Sequence, residues 1–221
     1  MQSVAEIPFV AGHVALDFVN TAEERGHPDA GDSLRTVDDL RLWGQRRGVL
    51  TSGADGTSGA VGASGNSGAD GAGGASGADG AGLAELAATL EARELLYELF
   101  LCRVRGRRAP DADRARLSRL ASEAFKAARL DEEADGRLGW RWDPSRLASV
   151  RYVAIATAVE LLSQSPTARL RQCPGDHCGW FFLDTTKRGN RRWCSMSECG
   201  QEAKTLRRRQ RSTAHVSSGP R

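Results

Sequence analysis

The segment CPGDHCGWFFLDTTKRGNRRWCSMSEC, residues 173–199, contains four of the five cysteines of this 221-residue chain. They follow the pattern C-x4-C, then fifteen residues, then C-x4-C. Two close pairs at this separation are typical of a structural zinc site, because each short loop turns two thiolates toward the same ion. The ligands that the spacing predicts are Cys173, Cys178, Cys194 and Cys199.

Other interpretations of the cysteines are weaker. A reducing compartment disfavours disulfides, and iron sites of the rubredoxin type have tighter cysteine spacing. His177 lies beside Cys178 and could replace one sulfur, but four cysteines already complete a tetrahedral site. The fifth cysteine, Cys102, lies in an apolar helical stretch and is expected to be buried. A closed site leaves no position for a reactive water, and no nucleophile–base pair is evident, so we expect no enzyme.

Around the cysteines, the pattern predicts a treble-clef-like zinc module. Residues 180–183 are expected to form a strand, 185–190 a turn, 191–194 the returning strand and 201–211 an exposed helix. About forty residues have too small a core to fold alone, so zinc binding is expected to supply on the order of 10 kcal/mol. The aromatic side chains expected to pack under the metal, one of which could instead stack on a base, are Trp180, Phe182 and Trp193.

Basic residues are concentrated in this part of the chain. Residues 166–221 hold 12 Lys/Arg and 4 Asp/Glu, whereas the rest holds 19 Lys/Arg and 24 Asp/Glu. A zinc module rich in arginine is typical of nucleic-acid binding, although many charge runs are only solvated surfaces. The candidate contact residues lie in the predicted turn, the returning strand and the helix: Lys187, Arg188, Arg191, Arg192, Lys204, Arg207, Arg208, Arg209 and Arg211.

A second compositional feature is the low-complexity segment 53–82, which holds 12 of the 25 glycines. Such a segment cannot bury enough apolar surface to offset its ordering entropy, so a disordered, flexible insert is expected. The roughly fifty residues before it are marginal for an independent core, so the insert interrupts one domain. The predicted organisation is a domain at 1–165, the zinc module at 168–211 and a disordered tail at 212–221.

The first of these domains has a mainly helical pattern. Thr36 is placed to cap a helix that Gly48 ends, and a leucine-rich face continues over residues 83–105 until Gly106. Pro110 opens another helix. Alternating Leu138, Trp140 and Trp142 indicate a short strand, and the apolar segment 145–164 is expected to be the central core helix. The fold class is therefore mainly α, with a small C-terminal zinc module.

Two further features concern location and ligands. No apolar run approaches the length of a membrane span, and the first residues lack the pattern of a signal peptide, so a cytoplasmic location without a membrane partner is expected. In the stretch LDFVNT, residues 16–21, Asp17 and Asn20 could line a small-ligand pocket. The alternative, which we favour, is a capping or turn role beside the core.

These residues together resemble a known family. The text from Cys178 to Thr185 (CGWFFLDT), the RRWCSM segment at 191–196 and Cys199-Gly200 with Ala203 and Lys204 resemble the CGNR zinc finger. LDFVNT and RELLYELF, residues 93–100, resemble its partner domain, known as the ABATE domain. The resemblance covers most of the chain outside the Gly-rich insert.

The resemblance implies a stress-induced transcription regulator whose zinc finger binds DNA and whose helical domain senses a small molecule or a protein. One departure is clear: the Asn-Arg that names the family is here Gln201-Glu202. The arginine contact expected at that position is therefore missing, while the zinc ligands are retained. We accordingly expect a zinc-dependent DNA-binding regulator, with an RNA-binding module or a zinc-braced protein-interaction adaptor as alternatives.

Overall fold

The structure of the chain is a computed structural model. The structure describes residues 3–25, 31–52, 75–164, 169–176 and 178–216, and describes side chains in all of these except 75–79 and 211–216. His177 and most of the predicted insert lie outside the described residues. The elements, in chain order, are α1 (Val14–Val19), α2 (Val37–Arg46), α3 (Ala75–Val104), α4 (Asp111–Lys126), β1 (Arg129–Glu132), β2 (Leu138–Arg141), α5 (Ser149–Ser163), β3 (Leu170–Gln172), β4 (Phe181–Leu183) and α6 (Cys199–Val216).

The N-terminal part is helical, as predicted. Thr36 caps α2 by accepting a hydrogen bond from the Asp39 N–H, and the Asp39 carboxylate bonds back to the Thr36 N–H, which completes a capping box. The helices α2 and α3 end just before Gly48 and Gly106, and α4 begins after Pro110. The predicted strand at Leu138 is β2, and β1 pairs with it antiparallel.

The main core forms where α1, α2, α3 and α5 meet. Leu16 and Phe18 of α1 pack with Trp43 of α2, Phe100 of α3 and Val150 of α5. All five are at most 1% exposed. The apolar run of α5 is central to this core, as its composition predicts, and Cys102 is buried.

The helix α3 begins earlier than the leucine pattern indicates. It starts at Ala75, so residues 75–82 of the predicted insert are helical rather than disordered. At its C-terminal end this extension packs closely on α2: a Cβ added at Gly82 would lie 3.3 Å from Val37 Cγ2, so glycine permits this approach of the two helices. The remaining predicted insert, 53–74, lies outside the described residues.

The C-terminal hairpin has a different partner from the one predicted. Strand β4 pairs antiparallel with β3, so the loop between them carries the first cysteine pair. The predicted returning strand, 191–194, is irregular because side chains take its main-chain donors. The Asp184 carboxylate accepts the Arg191 N–H at 2.8 Å, and Cys173 Sγ accepts the Cys194 N–H at 3.4 Å.

The last helix is also longer than predicted. It begins at Cys199 and continues past Arg211 to Val216, so the first five residues of the predicted disordered tail are helical. Helix propagation costs little once the first turn has formed, and no glycine or proline occurs after Gly200 until Gly219. Residues 217–221 lie outside the described part. None of the helices within the described residues combines the length and the apolar composition of a membrane span.

Candidate metal centre and basic surface

The four predicted ligands meet at one point. The sulfurs of Cys173, Cys178, Cys194 and Cys199 all lie within 4.8 Å of one another. Cys194 Sγ is 3.4 Å from Cys178 Sγ and 3.6 Å from Cys199 Sγ. Four sulfurs placed about 2.3 Å from a tetrahedral ion are separated by about 3.8 Å, so these spacings fit zinc and are far longer than a disulfide bond.

The first cysteine pair is held in a tight loop between β3 and β4. The Cys173 N–H donates to the Trp180 carbonyl at 2.7 Å, and the Cys178 N–H donates to the Gly175 carbonyl at 3.1 Å. Gly179 has a φ of +69°, which allows the chain to turn directly from Cys178 into β4. This closed turn directs both sulfurs toward the second pair.

The chemistry of the cluster suits a metal cation. Hydrogen bonds from Cys178 and Cys194 lower the pKa of the Cys173 thiol, so one thiolate is stable here. That thiolate and burial raise the pKa values of Cys178 and Cys194. Four thiolates this close repel one another unless a divalent ion lies between them, and thiolate sulfur is a ligand that zinc favours. The four residues therefore fit a closed structural zinc site.

Under the sulfurs lies a small apolar cluster that we call the zinc core. Trp180 and Phe182 are buried here with Cys173 and Cys194, and Trp193 packs at the edge. The aromatic packing expected under the metal is thus confirmed. The sequence did not indicate the other members, Ile7, Phe9 and Val10, which come from the N-terminal segment.

Hydrogen bonds fix this N-terminal segment to the hairpin. The Leu183 N–H donates to the Ala11 carbonyl at 2.9 Å, and the Arg191 guanidinium donates to the Val10 carbonyl at 2.8 Å. The same guanidinium donates to the carbonyls of Leu183 and Cys194. Arg191, a predicted nucleic-acid contact, therefore binds main-chain oxygens from both parts of the chain.

Asn20 joins the helical body to the hairpin directly. Its amide donates to the Phe181 carbonyl at 2.8 Å, and its carbonyl accepts the Phe181 N–H at 2.9 Å. Asp17 instead accepts the Ala11 N–H at 3.0 Å and forms an ion pair with Arg47 at 3.0 Å. Asp17 and Asn20 are thus both used within the fold. The pairing with Phe181, across 161 residues, has no local sequence signal.

The turn after β4 presents Lys187 and Arg188; we call residues 185–190 the basic loop. Asp184 is fully buried and organises it, because its carboxylate accepts the Thr186 N–H and hydroxyl and the Arg191 N–H. Burial acts to raise the pKa of Asp184, but these hydrogen bonds outweigh it and the pKa is lowered. The loop is therefore held around a carboxylate that stays charged.

Two further arginines, which sequence reasoning missed, support the basic loop. Arg169 donates to the carbonyls of Asp184 and Thr186 at 3.0 and 3.1 Å. Arg171 donates to the Gly189 carbonyl at 2.7 Å. Their only sequence signal is alternation in the RLRQ segment before Cys173, which places both on one side of a strand.

The other basic side chains are exposed. Arg192 lies over the Trp193 ring, 5.7 Å from its centroid, and the described basic residues of α6 are solvent-accessible: Lys204, Arg207, Arg208 and Arg209. Arg211 is within α6, but its side chain is not described. Because Cys199 is both a predicted zinc ligand and the first residue of α6, a bound zinc ion would fix the start of this helix.

Comparison with known families agrees with this geometry. Residues 12–165 match the family model ABATE, described as a putative stress-induced transcription regulator. Residues 169–212 match the CGNR zinc finger. Neither description names an enzyme. No curated protein matches the chain.

Proposed function

Because the chain belongs to the ABATE family and ends in a CGNR zinc finger, we propose that it is a transcription regulator that binds DNA through the basic loop and α6. The observation that carries the proposal is that two basic elements share one rigid support. The loop is anchored by buried Asp184 and α6 starts at Cys199, so both are tied to the zinc core.

Electrostatics explains how such a surface would act. Arginine and lysine side chains bind phosphates and release condensed counterions, which makes affinity depend steeply on salt. The exposed residues Lys187, Arg188 and Arg192 are available for such contacts, whereas the guanidinium of Arg191 is engaged by carbonyls. We therefore assign Arg191 mainly to positioning the hairpin. Phosphate contact is assigned to Lys187, Arg188 and Arg192 and, on α6, to Lys204, Arg207, Arg208 and Arg211.

The test is a salt titration of binding to duplex DNA by the zinc-loaded full-length chain. The variant carries Lys204→Gln, Arg207→Gln and Arg208→Gln; the matched control carries Arg105→Gln, Arg107→Gln and Arg119→Gln, three exposed positions on the helical body. Each phosphate contact contributes about −0.9 to the slope of log K against log salt. In the variant, the magnitude of that slope is expected to decrease by about 2–3. In the control, the slope is expected to stay unchanged.

Competition experiments and the α6 variant distinguish DNA binding from the alternative functions. Single-stranded or structured RNA that displaces DNA at equal concentration would favour an RNA-binding role. Retention of DNA by the α6 variant at the wild-type level would contradict the proposal and favour a zinc-braced protein adaptor. A cytoplasmic site of action is part of the proposal and is checked by fractionating cells that express the chain.

A further inference from the structure

A groove of about 830 Å³ lies on the helical body where α2, α3 and the turn before α5 meet. This volume is within the range of small-molecule sites, about 300–1,000 Å³. Its apolar lining includes Val37, Leu83 and Leu147. Leu83 is 59% exposed, which is unusual for a leucine on a packed helix and leaves apolar surface open to a ligand.

The charged lining of the groove is predominantly basic. It includes Arg35 before α2, Arg41 within α2 and Arg146 in the turn before α5. Among the described residues, no carboxylate lies within ion-pair distance of Arg41 or Arg146, whereas Arg35 is 3.7 Å from Asp39. The carboxylate of Asp143, which is not part of the lining, interacts with the Arg146 guanidinium only electrostatically, without an ion-pair contact. A guanidinium without an ion-pair contact beside apolar surface is well suited to a carboxylate or sulfonate group.

The acidic residues of the lining do not cancel this charge. Two carboxylates, Asp38 and Glu85, line the groove. Glu85 is bound by Arg151 at 2.7 and 3.1 Å, and Arg151 is 7% exposed, so this pair is neutralised inside the fold. Two of the three lining arginines, Arg41 and Arg146, therefore have no described carboxylate within ion-pair distance, and the single unneutralised carboxylate of the lining is that of Asp38.

We propose that this groove binds a small amphipathic organic anion. The acidic group lies between Arg41 and Arg146, and the apolar part covers Leu83, Val37 and Leu147. The first interaction supplies charge-assisted hydrogen bonds, and the second removes exposed apolar surface from water. No zinc-centre residue lines the groove, so this inference does not depend on DNA binding.

The test uses 8-anilinonaphthalene-1-sulfonate, an amphipathic anion that fluoresces on apolar surfaces, with the zinc-loaded full-length chain. We expect saturable binding that decanoate displaces and that 1-decanol, an uncharged chain of equal length, does not. The double variant Arg41→Gln/Arg146→Gln is expected to weaken binding about tenfold or more, because charge-assisted hydrogen bonds contribute about 1.5–3 kcal/mol. The control Arg105→Gln/Arg119→Gln is expected to bind as the wild type does.

A second variant separates this groove from the exposed apolar side chains of the β1–β2 hairpin. Leu138 is 67% exposed, so Leu138→Asn removes a competing dye site without touching the groove. Unchanged affinity in the arginine double variant, loss of binding in Leu138→Asn, or equal displacement by decanol would overturn the proposal. All variants change exposed residues, so unchanged circular dichroism and zinc content are the folding controls.

Discussion

Asn20 shows how much one side chain contributes to this structure. It is 4% exposed and satisfies both main-chain groups of Phe181, a residue at the start of β4 and 0% exposed. A buried amide pair of this kind stabilises mainly because its loss leaves two main-chain groups without partners. Asn20 therefore positions the hairpin that carries the first cysteine pair.

We predict that Asn20→Ala lowers the free energy of unfolding by about 2–4 kcal/mol, from two orphaned groups at about 1–3 kcal/mol each. Zinc affinity is expected to fall too, because β4 follows the Cys173–Cys178 loop. Urea unfolding and chelator competition measure the two effects. Asn190→Ala, an exposed loop change, is expected to alter stability by no more than about 0.5 kcal/mol. If Asn20→Ala and Asn190→Ala changed the free energy of unfolding equally, Asn20 would not have the role assigned to it.

His13 precedes α1, and among the described residues its buried Nδ1 has no hydrogen-bond partner. Burial lowers the pKa of His13; Glu160 opposes this shift and Arg47 adds to it. The folded chain therefore favours neutral imidazole, whereas the unfolded chain titrates near pH 6.5. The unfolded state binds more protons below that pH, so this contribution to stability falls as the pH drops from about 6.5 toward the lowered pKa.

The corresponding experiment compares wild type and His13→Gln by urea unfolding at about pH 7.5 and pH 5.5. The loss of stability on acidification is expected to be smaller in His13→Gln, because glutamine does not titrate. Protonation of the cysteines acts on both proteins alike, so the difference between them isolates the histidine. Identical pH dependence would show that burial of His13 has no such effect.

At the scale of elements, α6 has two distinct faces. Lys204, Arg207, Arg208 and Arg211 follow the i, i+3, i+4, i+7 pattern of a single helix face. Arg209 is seven residues after Glu202 and therefore shares a face with that carboxylate. The departure from the family's Asn-Arg thus places an acidic residue on the side away from the continuous basic face.

This arrangement predicts different effects for two substitutions of equal charge. Arg207→Gln is expected to reduce the salt slope of DNA binding by about 0.9, and Arg209→Gln to leave it nearly unchanged, because only the first lies on the basic face. Salt titrations of DNA binding by the two single variants, run in parallel, measure the difference. Equal salt slopes for the two variants would indicate that DNA responds to the overall positive charge of α6 and does not dock on one face of the helix.

In the zinc-finger hairpin, the predicted strand is present, but the prediction of its partner strand is wrong. The apolar segment WFFL predicts a strand, and β4 is there. The sequence predicts its partner downstream, at 191–194, because a short turn separates the two segments. The actual partner is β3, since Asp184 and Cys173 take the main-chain donors of Arg191 and Cys194.

At the scale of the whole molecule, the zinc finger and the helical body share their cores. Phe181 belongs to the main core, 5.2 Å from the Tyr97 ring, while the next residue, Phe182, belongs to the zinc core. Ile7 of the N-terminal segment packs in the zinc core, and Val4 of the same segment packs in the main core. The two domains that composition predicts are therefore coupled by packing.

We predict that removing zinc loosens the helical body as well as the finger. Cys194→Ser or a strong chelator is expected to raise amide hydrogen exchange in α1 and around Tyr97 in α3, because β4 packs on both. The zinc-loaded wild-type protein is the control. Unchanged exchange in α1 and α3 with complete exchange in the finger would show two independent units.

Local chemistry in the sequence determined most of the helices, the Thr36 cap and the four converging cysteines. These follow from periodicity, from Thr36 and its Asp39 partner, and from ligand spacing, all set within short stretches of chain. The tertiary structure decided which strand pairs with β4, that Asn20 bonds Phe181 and that arginines line a groove on the body. Such contacts join residues far apart in the chain. Their energy depends on which buried groups lack other partners, and a local sequence pattern holds no information about those groups.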